Sequence, residues 1–280
     1  MAIHTLIIHL NDRRRAAHLI GAAKAFAPDG ARMIGLHVFS AIPPVAPMVV
    51  PYGDGVIQAI EQTESRESAA IRATFAELTA SRADRATWIS ERAAGPDLAQ
   101  HVMRHGRGAD LIVASAADAD WEMAPVLDFP ERLAMESGRP VLMIPNEGTF
   151  DAAPSHAVVA WNGSREAARA GFDTLALLGN VVKMTILVIQ DEDAGADDEP
   201  MASAARFADT VARHGVSLTL ARRAPAGRSV GEAISAEAAA LNGDLLVMGA
   251  YGHSRVRELV FGGATRHVTH HMKLPTLLSH

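Results

Sequence analysis

The sequence predicts an α/β protein made of two tandem copies of one doubly wound unit, each a parallel sheet sandwiched between helices. Three observations carry this. The first is an internal repeat: Leu6 to Ala17 reads LIIHLNDRRRAA and Ala157 to Ala168 reads AVVAWNGSREAA. Each is an apolar run, an asparagine, polar residues and then a helical pattern. The second is strand character. The predicted strands are short, continuous runs of Ile, Leu and Val, as expected of strands buried on both faces of a parallel sheet. The third is the alternation of such runs with Ala-, Glu- and Arg-rich helical segments, which implies right-handed crossovers.

Taken in order, the first strand and helix of each copy lead to a second strand, MIGLHVFS from Met33 and MTILVIQ from Met184. Phe39 to Val56, with four prolines and two glycines, reads as an extended loop over the sheet edge. Gln190 to Pro200, QDEDAGADDEP, reads as a solvated acidic loop at the matching place, and it lacks the spacing of a calcium loop. In copy two, SAARFADTVARHG from Ser203 is a helix stopped by Gly215. SVGEAISAEAAALNG from Ser229 opens with a capping box, Ser229 and Glu232, and stops at Asn242-Gly243. The fourth strands match as DLIVASA from Asp110 and DLLVMGA from Asp244, and the last as PVLMIP from Pro140 and PTLLSH from Pro275. Asn146 to Ser155, NEGTFDAAPS, has turn residues and no apolar period, which sets the domains at 1–147 and 148–280.

Composition narrows the function classes. The chain has 280 residues, 49% hydrophobic and 21% charged, the balance of folded globular domains. No apolar run reaches the roughly 20 residues of a membrane-spanning helix. The opening MAIHTLIIHLNDRRR reverses the charge order of a secretory signal, so a cytoplasmic protein is expected. With no cysteine, disulfides, thiolate metal sites and cysteine catalysis are excluded. A net charge of −6 with only the short Arg13-Arg14-Arg15 cluster argues against nucleic-acid partners.

The chemistry-bearing stretch is DLLVMGAYGHSRVRELVFGGATRHVTHH, from Asp244 to His271. In a doubly wound sheet, ligands sit beyond the C-terminal ends of the strands where the strand order switches. Asn162, after the first strand of copy two, and Gly249, after the fourth, belong to that edge. Gly249, Gly252 and Gly262-Gly263 either turn the chain tightly or bring backbone N–H groups onto an anion at the start of the last helix, HVTHHM. The pattern is neither a P-loop nor the dinucleotide fingerprint.

G-x2-G-x9-G, preceded by DLLVM and followed by a helix and a Pro-led strand, resembles the nucleotide-binding signature of the universal stress protein family. The tandem arrangement resembles a two-domain member along essentially the whole chain. The resemblance implies an adenine nucleotide hydrolase-like fold and binding of ATP or a related adenine nucleotide, with magnesium accompanying it. It places Ala160, Trp161 and Asn162 beside the adenosine and the Ile189 backbone beside the base. Met248, Gly249, Gly252, Gly262, Gly263 and Ala264 would wrap ribose and phosphates, with Thr265 adding a hydroxyl and Arg255 meeting a phosphate. Two departures stand out. Gly263 occupies the place of a hydroxyl residue, and Asn162 that of an aspartate. Trp161 is bulky for its position and is expected to narrow the pocket.

Copy one reads ASAADADWEMAPVLDFPERLA from Ala114, with Asp118, Asp120, Glu122 and Asp128 where copy two has glycines. Carboxylates repel phosphate, so copy one is expected not to bind ATP in the family manner. His267 and His271 share a helix face and could ligate zinc only with a third ligand from elsewhere, such as His253 or His280. The simpler expectation is residues near a helix C-terminus, where cations are favoured. Ser164 lacks the GxSxG elbow and is expected to cap the helix that follows it. No catalytic or metal-ligating residue is assigned. The resemblance thus implies a non-catalytic stress-response module with at most slow, incidental ATP hydrolysis. The alternatives are a regulatory module binding a partner or another ligand without nucleotide, and a weak adenine-nucleotide hydrolase. The family's pairing through last strands implies an intrachain pseudo-dimer, PVLMIP against PTLLSH, with a homodimer as a further option.

Overall fold

The structure, a computed structural model, describes residues 3–40, 54–93, 97–118, 129–177, 183–191, 198–250 and 263–280. In the first half the strands are β1 (Thr5–His9), β2 (Arg32–Ser40), β3 (Ala86–Ala93), β4 (Leu111–Ser115) and β5 (Val141–Ile144). In the second half they are β6 (His156–Ala160), β7 (Lys183–Ile189), β8 (Ser217–Arg223), β9 (Leu245–Gly249) and β10 (Thr276–Ser279). The helices are α1 (Arg13–Phe26), α2 (Asp54–Leu78), α3 (Leu98–Gly106), α4 (Pro130–Glu136), α5 (Arg165–Leu177), α6 (Glu199–Ala212), α7 (Val230–Ala240) and α8 (Ala264–His270).

The inner strands β4, β5 and β6 are buried at every position, which is why their sequences are unbroken apolar runs. The outer strands β3 and β8 are largely half-buried or exposed, as strands at the edge of the sheet are. The repeated aspartates have a structural use. Asp110 accepts hydrogen bonds from the backbone N–H groups of His4 and Thr5, both at 2.9 Å, and Asp244 from Ser155 and His156, both at 2.8 Å. Each carboxylate ties the fourth strand's entry to the first strand's entry.

The sequence leads one to expect two sheets. The structure joins them into one ten-stranded sheet in the order β3-β2-β1-β4-β5-β10-β9-β6-β7-β8. All pairings within a half are parallel, and the two halves meet through an antiparallel pair, β5 with β10. Val141, Leu142 and Met143 stand opposite Leu278, Leu277 and Thr276, so the expected pairing of PVLMIP with PTLLSH is present. Side chains reinforce the seam: Thr269 donates to Glu131, and His270 lies 3.5 Å from the same carboxylate. One core layer lies beneath α1, α2, α5 and α6, the other beneath α3, α4, α7 and α8.

Two loop expectations shorten. β2 runs through Phe39 to Ser40 and α2 begins at Asp54, so both ends of the proline-rich stretch are regular structure, while 41–53 lie outside the described residues. Similarly, Asp198 of the acidic stretch caps α6 by accepting from the Met201 N–H at 3.2 Å, with Glu199 and Pro200 in the first turn. Proline fits a first turn because the N–H it lacks has no helical partner there. At the other end Gly215 sits at φ +80°, the left-handed geometry a helix stop favours. The Ser229–Glu232 capping box forms in both directions.

His9, at the end of β1, is buried and stacks on Phe129 at 4.9 Å between ring centroids. Burial pushes its pKa down from 6.5 to about 3, with His37 and Arg15 adding repulsion. The unfolded chain therefore takes up this proton more readily than the folded one between those two values. Stability from this group is complete above pH 6.5 and declines as pH falls toward 3.

Two outcomes follow for stability. Leu277→Ala, at a fully buried position facing Leu142, should cost about 2–5 kcal/mol. It should lower the urea midpoint with an unchanged slope. His9→Phe should flatten the acid dependence of that midpoint by up to about 1.4 kcal/mol per pH unit, as measured by urea titrations below pH 6.5.

Candidate functional site

The strand order of the second half reverses at β6, which crosses to β7 on one side and lies beside β9 on the other. Ala160 stands opposite Met248 in the β6–β9 register and opposite Leu187 in the β6–β7 register. The C-terminal ends of three strands therefore lie side by side, with Ala160 to Asn162 leaving β6, Ile189 ending β7 and Met248-Gly249 ending β9. Of the expected site residues, these six are brought to one sheet edge. Gly263, Ala264 and Thr265 open α8. Gly252, Arg255 and Gly262 lie outside the described residues.

The turn after β6 is built by its own polar residues. Asn162 Oδ1 accepts the Ser164 N–H at 3.1 Å, and Ser164 Oγ accepts the Ala167 N–H at 3.1 Å. Ser164 is therefore the cap of α5, as its sequence position suggests, with its oxygen committed to the helix start. Asn162 is exposed and retains its amide N–H groups for a ligand.

Trp161 is placed differently from the expectation of a narrowed pocket. Its ring enters the core, stacked on Phe207 at 4.5 Å with 16° between planes, and its Nε1 donates to Ser203 Oγ at 2.9 Å. The bulk is absorbed beneath α6, and the residue contributes only backbone to the strand-end surface.

Gly249 has an internal reason to be glycine. A Cβ there would lie 2.5 Å from the Glu166 carbonyl carbon and 2.6 Å from the Ala167 nitrogen. The start of α5 thus presses directly on the end of β9, and glycine is the residue that allows it. Gly263 is the N-cap of α8 and, as glycine, brings no side chain of its own to cap it. The helix begins at Ala264, ahead of the expected HVTHHM, because nothing in the Ala-Thr-Arg sequence opposes helix. Thr265 is buried in its first turn rather than preceding it.

One residue missed by the sequence reading is Glu166. It is buried against the end of β9 and ion-paired with Arg165. Burial acts to raise its pKa, but the Arg165 hydrogen bond and charge outweigh it and hold the carboxyl below its usual value. The repeat itself carries the signal: LIIHLNDRRRAA aligned on AVVAWNGSREAA sets Arg15 against Glu166. Arg15 reaches Asn11 Oδ1 at 3.2 Å, and Asn146 Oδ1 and the Ala116 carbonyl at 3.4 Å each. The same strand end thus holds a cation in the first half and an anion in the second.

The first half departs further. Asp12 caps α1, accepting from the Arg14 N–H at 2.8 Å, and binds the Arg14 guanidinium. Asp118 is described, whereas Asp120, Glu122 and the preceding part of the loop through Asp128 lie outside the described residues. His267 and His271 stack at 4.6 Å on α8. Among the described residues no group of three His, Asp or Glu side chains is arranged to hold a metal ion. Among them, too, no helix is long and apolar enough to cross a membrane.

Comparison with known proteins agrees with this architecture. Residues 156–280 match the sequence model of the Universal stress protein family. A universal stress protein from Archaeoglobus fulgidus DSM 4304 superposes with a TM-score of 0.70 at 14% identity, covering 98% of this chain and 95% of that one. A functionally unknown protein from Pseudomonas aeruginosa PAO1 gives 0.50 at 14% identity, covering 99% and 92%. No curated protein matches the sequence. At such identities the structural likeness speaks for the fold of the whole chain, and the sequence match for the family of its second half. Residues 156–280 match the Universal stress protein family, and the whole chain shares the fold of the Archaeoglobus fulgidus universal stress protein.

Proposed function

We propose that this chain is a cytoplasmic, non-catalytic stress-response module of two domains, 1–147 and 148–280, whose second domain binds ATP or a related adenine nucleotide. The observation that carries this is the meeting of β6, β7 and β9 ends at the switch point, with the sequence G-x2-G-x9-G lying between β9 and the start of α8 at Gly263. Adenosine would lie on the Ala160–Asn162 turn and the Ile189 backbone. Phosphates would be met by backbone N–H groups around Gly249, Gly252, Gly262 and Gly263, and by Arg255. Magnesium would arrive on the phosphates. The absence of catalysis is supported by commitment of the nearby groups: Ser164 caps α5 and Glu166 is paired with Arg165.

A second reading, a regulatory module that takes no nucleotide, is favoured by one observation. The buried carboxylate Glu166 abuts the strand end where phosphate would bind, and like charges there oppose a polyphosphate.

Calorimetric titration with ATP, ADP and AMP, with and without magnesium, separates the two. The nucleotide reading expects saturable binding at a single site. It also expects Gly263→Asp to weaken binding at least tenfold while leaving thermal stability equal or higher, since aspartate caps a helix better than glycine yet repels phosphate. Absence of saturable heat at millimolar nucleotide would sink the nucleotide reading and leave the regulatory one.

A further inference from the structure

We propose that the groove between α2 and the edge strand β3 is a binding site for small aromatic carboxylates, separate from the nucleotide site. The groove arises from the sequence of α2. In the second half of this 25-residue helix the residues turned to the sheet are apolar, with Ile71 and Phe75 buried and Leu78 packed on the core. In its first half the corresponding positions carry Glu61, Glu64 and Ser68. There the helix meets its neighbours through polar bridges: Glu61 with Arg92 of β3 at 3.0 Å, Ser68 Oγ with Ser90 Oγ of β3 at 2.9 Å, and Glu67 accepting the N–H of Arg13, the first residue of α1, at 2.8 Å. A helix held at arm's length in this way leaves a groove of about 730 Å3, within the range of small-molecule sites.

The lining selects the ligand. Phe39 and Trp88 form an aromatic floor, backed by the His37 ring, which stacks with Phe39 at 5.9 Å and Trp88 at 6.5 Å. Flat apolar rings favour an aromatic ligand. His37 Nδ1 contacts the Leu10 carbonyl at 2.7 Å, while its buried Nε2 has no partner. Two guanidiniums, Arg72 and Arg92, flank the floor. Arg92 is bridged to Glu61, whereas among the described residues no hydrogen bond or ion pair engages Arg72. An unengaged guanidinium beside serine hydroxyls is suited to a carboxylate, which it can bind through two parallel hydrogen bonds. The excess of positive charge disfavours a cation. Ala69, Ala73 and Ala76 on the α2 wall leave room for a ring.

Among the described residues the second half has no helix of this length. The counterpart of α2 is α6, 14 residues long, which packs Ala204, Phe207 and Val211 straight onto the core.

The test is calorimetric titration of the full chain with 2-naphthoate. Saturable binding of one equivalent is expected, weakened at least tenfold by Arg72→Ala, an exposed position whose change leaves the circular dichroism spectrum intact. Ala73→Trp, which fills the groove, should abolish it without altering the response to ATP. The neutral 2-naphthalenemethanol and the aliphatic octanoate should each bind at least tenfold more weakly than naphthoate. The proposal is overturned by no saturable binding at millimolar naphthoate, by equal affinity in wild type and both variants, by either analogue binding as tightly, or by ATP competing for the same site.

Discussion

The antiparallel pairing of β5 with β10 is the interaction on which the rest of this structure depends. Each half ends on a strand that is buried along its whole length, Val141–Ile144 and Thr276–Ser279. Left at the edge of a five-stranded sheet, either would present apolar side chains and unpaired backbone groups to water. Set against each other, both become the middle of a ten-stranded sheet, whose edges among the described strands are the more exposed β3 and β8. The polar contacts of Glu131 with Thr269 and His270 then fix how α4 and α8 lie across the seam.

With the two halves held in one sheet, their sequences are free to diverge at the opposite ends of the strands. The divergence is one of charge and of packing. Arg15 and Glu166 occupy matching positions with opposite sign. The α2 and α6 helices occupy matching positions with different lengths and different ways of meeting the sheet. The first half closes its strand ends with Asp12, Arg14 and Arg15, and opens a groove at its outer edge. The second half keeps a short turn and an exposed Asn162 at the switch point, and a glycine, Gly263, at the start of α8. A common fold thus carries two different surfaces.

Most of the fold was legible because its determinants are local. Unbroken Ile, Leu and Val runs, the repeated Asp-Leu-[Ile/Leu]-Val and the Ser229–Glu232 box each state their role within a few residues. The merging of two sheets was legible only through the resemblance, since strand pairing across the halves has no local signal. The packing around the candidate site residues escaped the sequence for the same reason. Trp161 looked like an obstruction because its partners, Phe207 and Ser203, lie some forty residues on and across a crossover. The packing of Gly249 against α5 went unread because the closeness of α5 to β9 is a tertiary fact. Glu166 passed as one more polar residue on a helix, its burial invisible until β9 was placed beside it. The ends of the two loops were misjudged because proline and aspartate signal a turn and a helix start equally well.

If the β5–β10 seam organises the whole chain, its amides should open only when everything opens. Native-state hydrogen exchange of the Leu142, Leu277 and Leu278 amides tests this directly. The account predicts that they exchange with the same free energy and the same denaturant dependence as the inner strands β1 and β6 of the two halves, through global unfolding. Exchange of the seam amides at a distinctly lower free energy, with β1 and β6 still protected, would contradict it and show two sheets that merely touch.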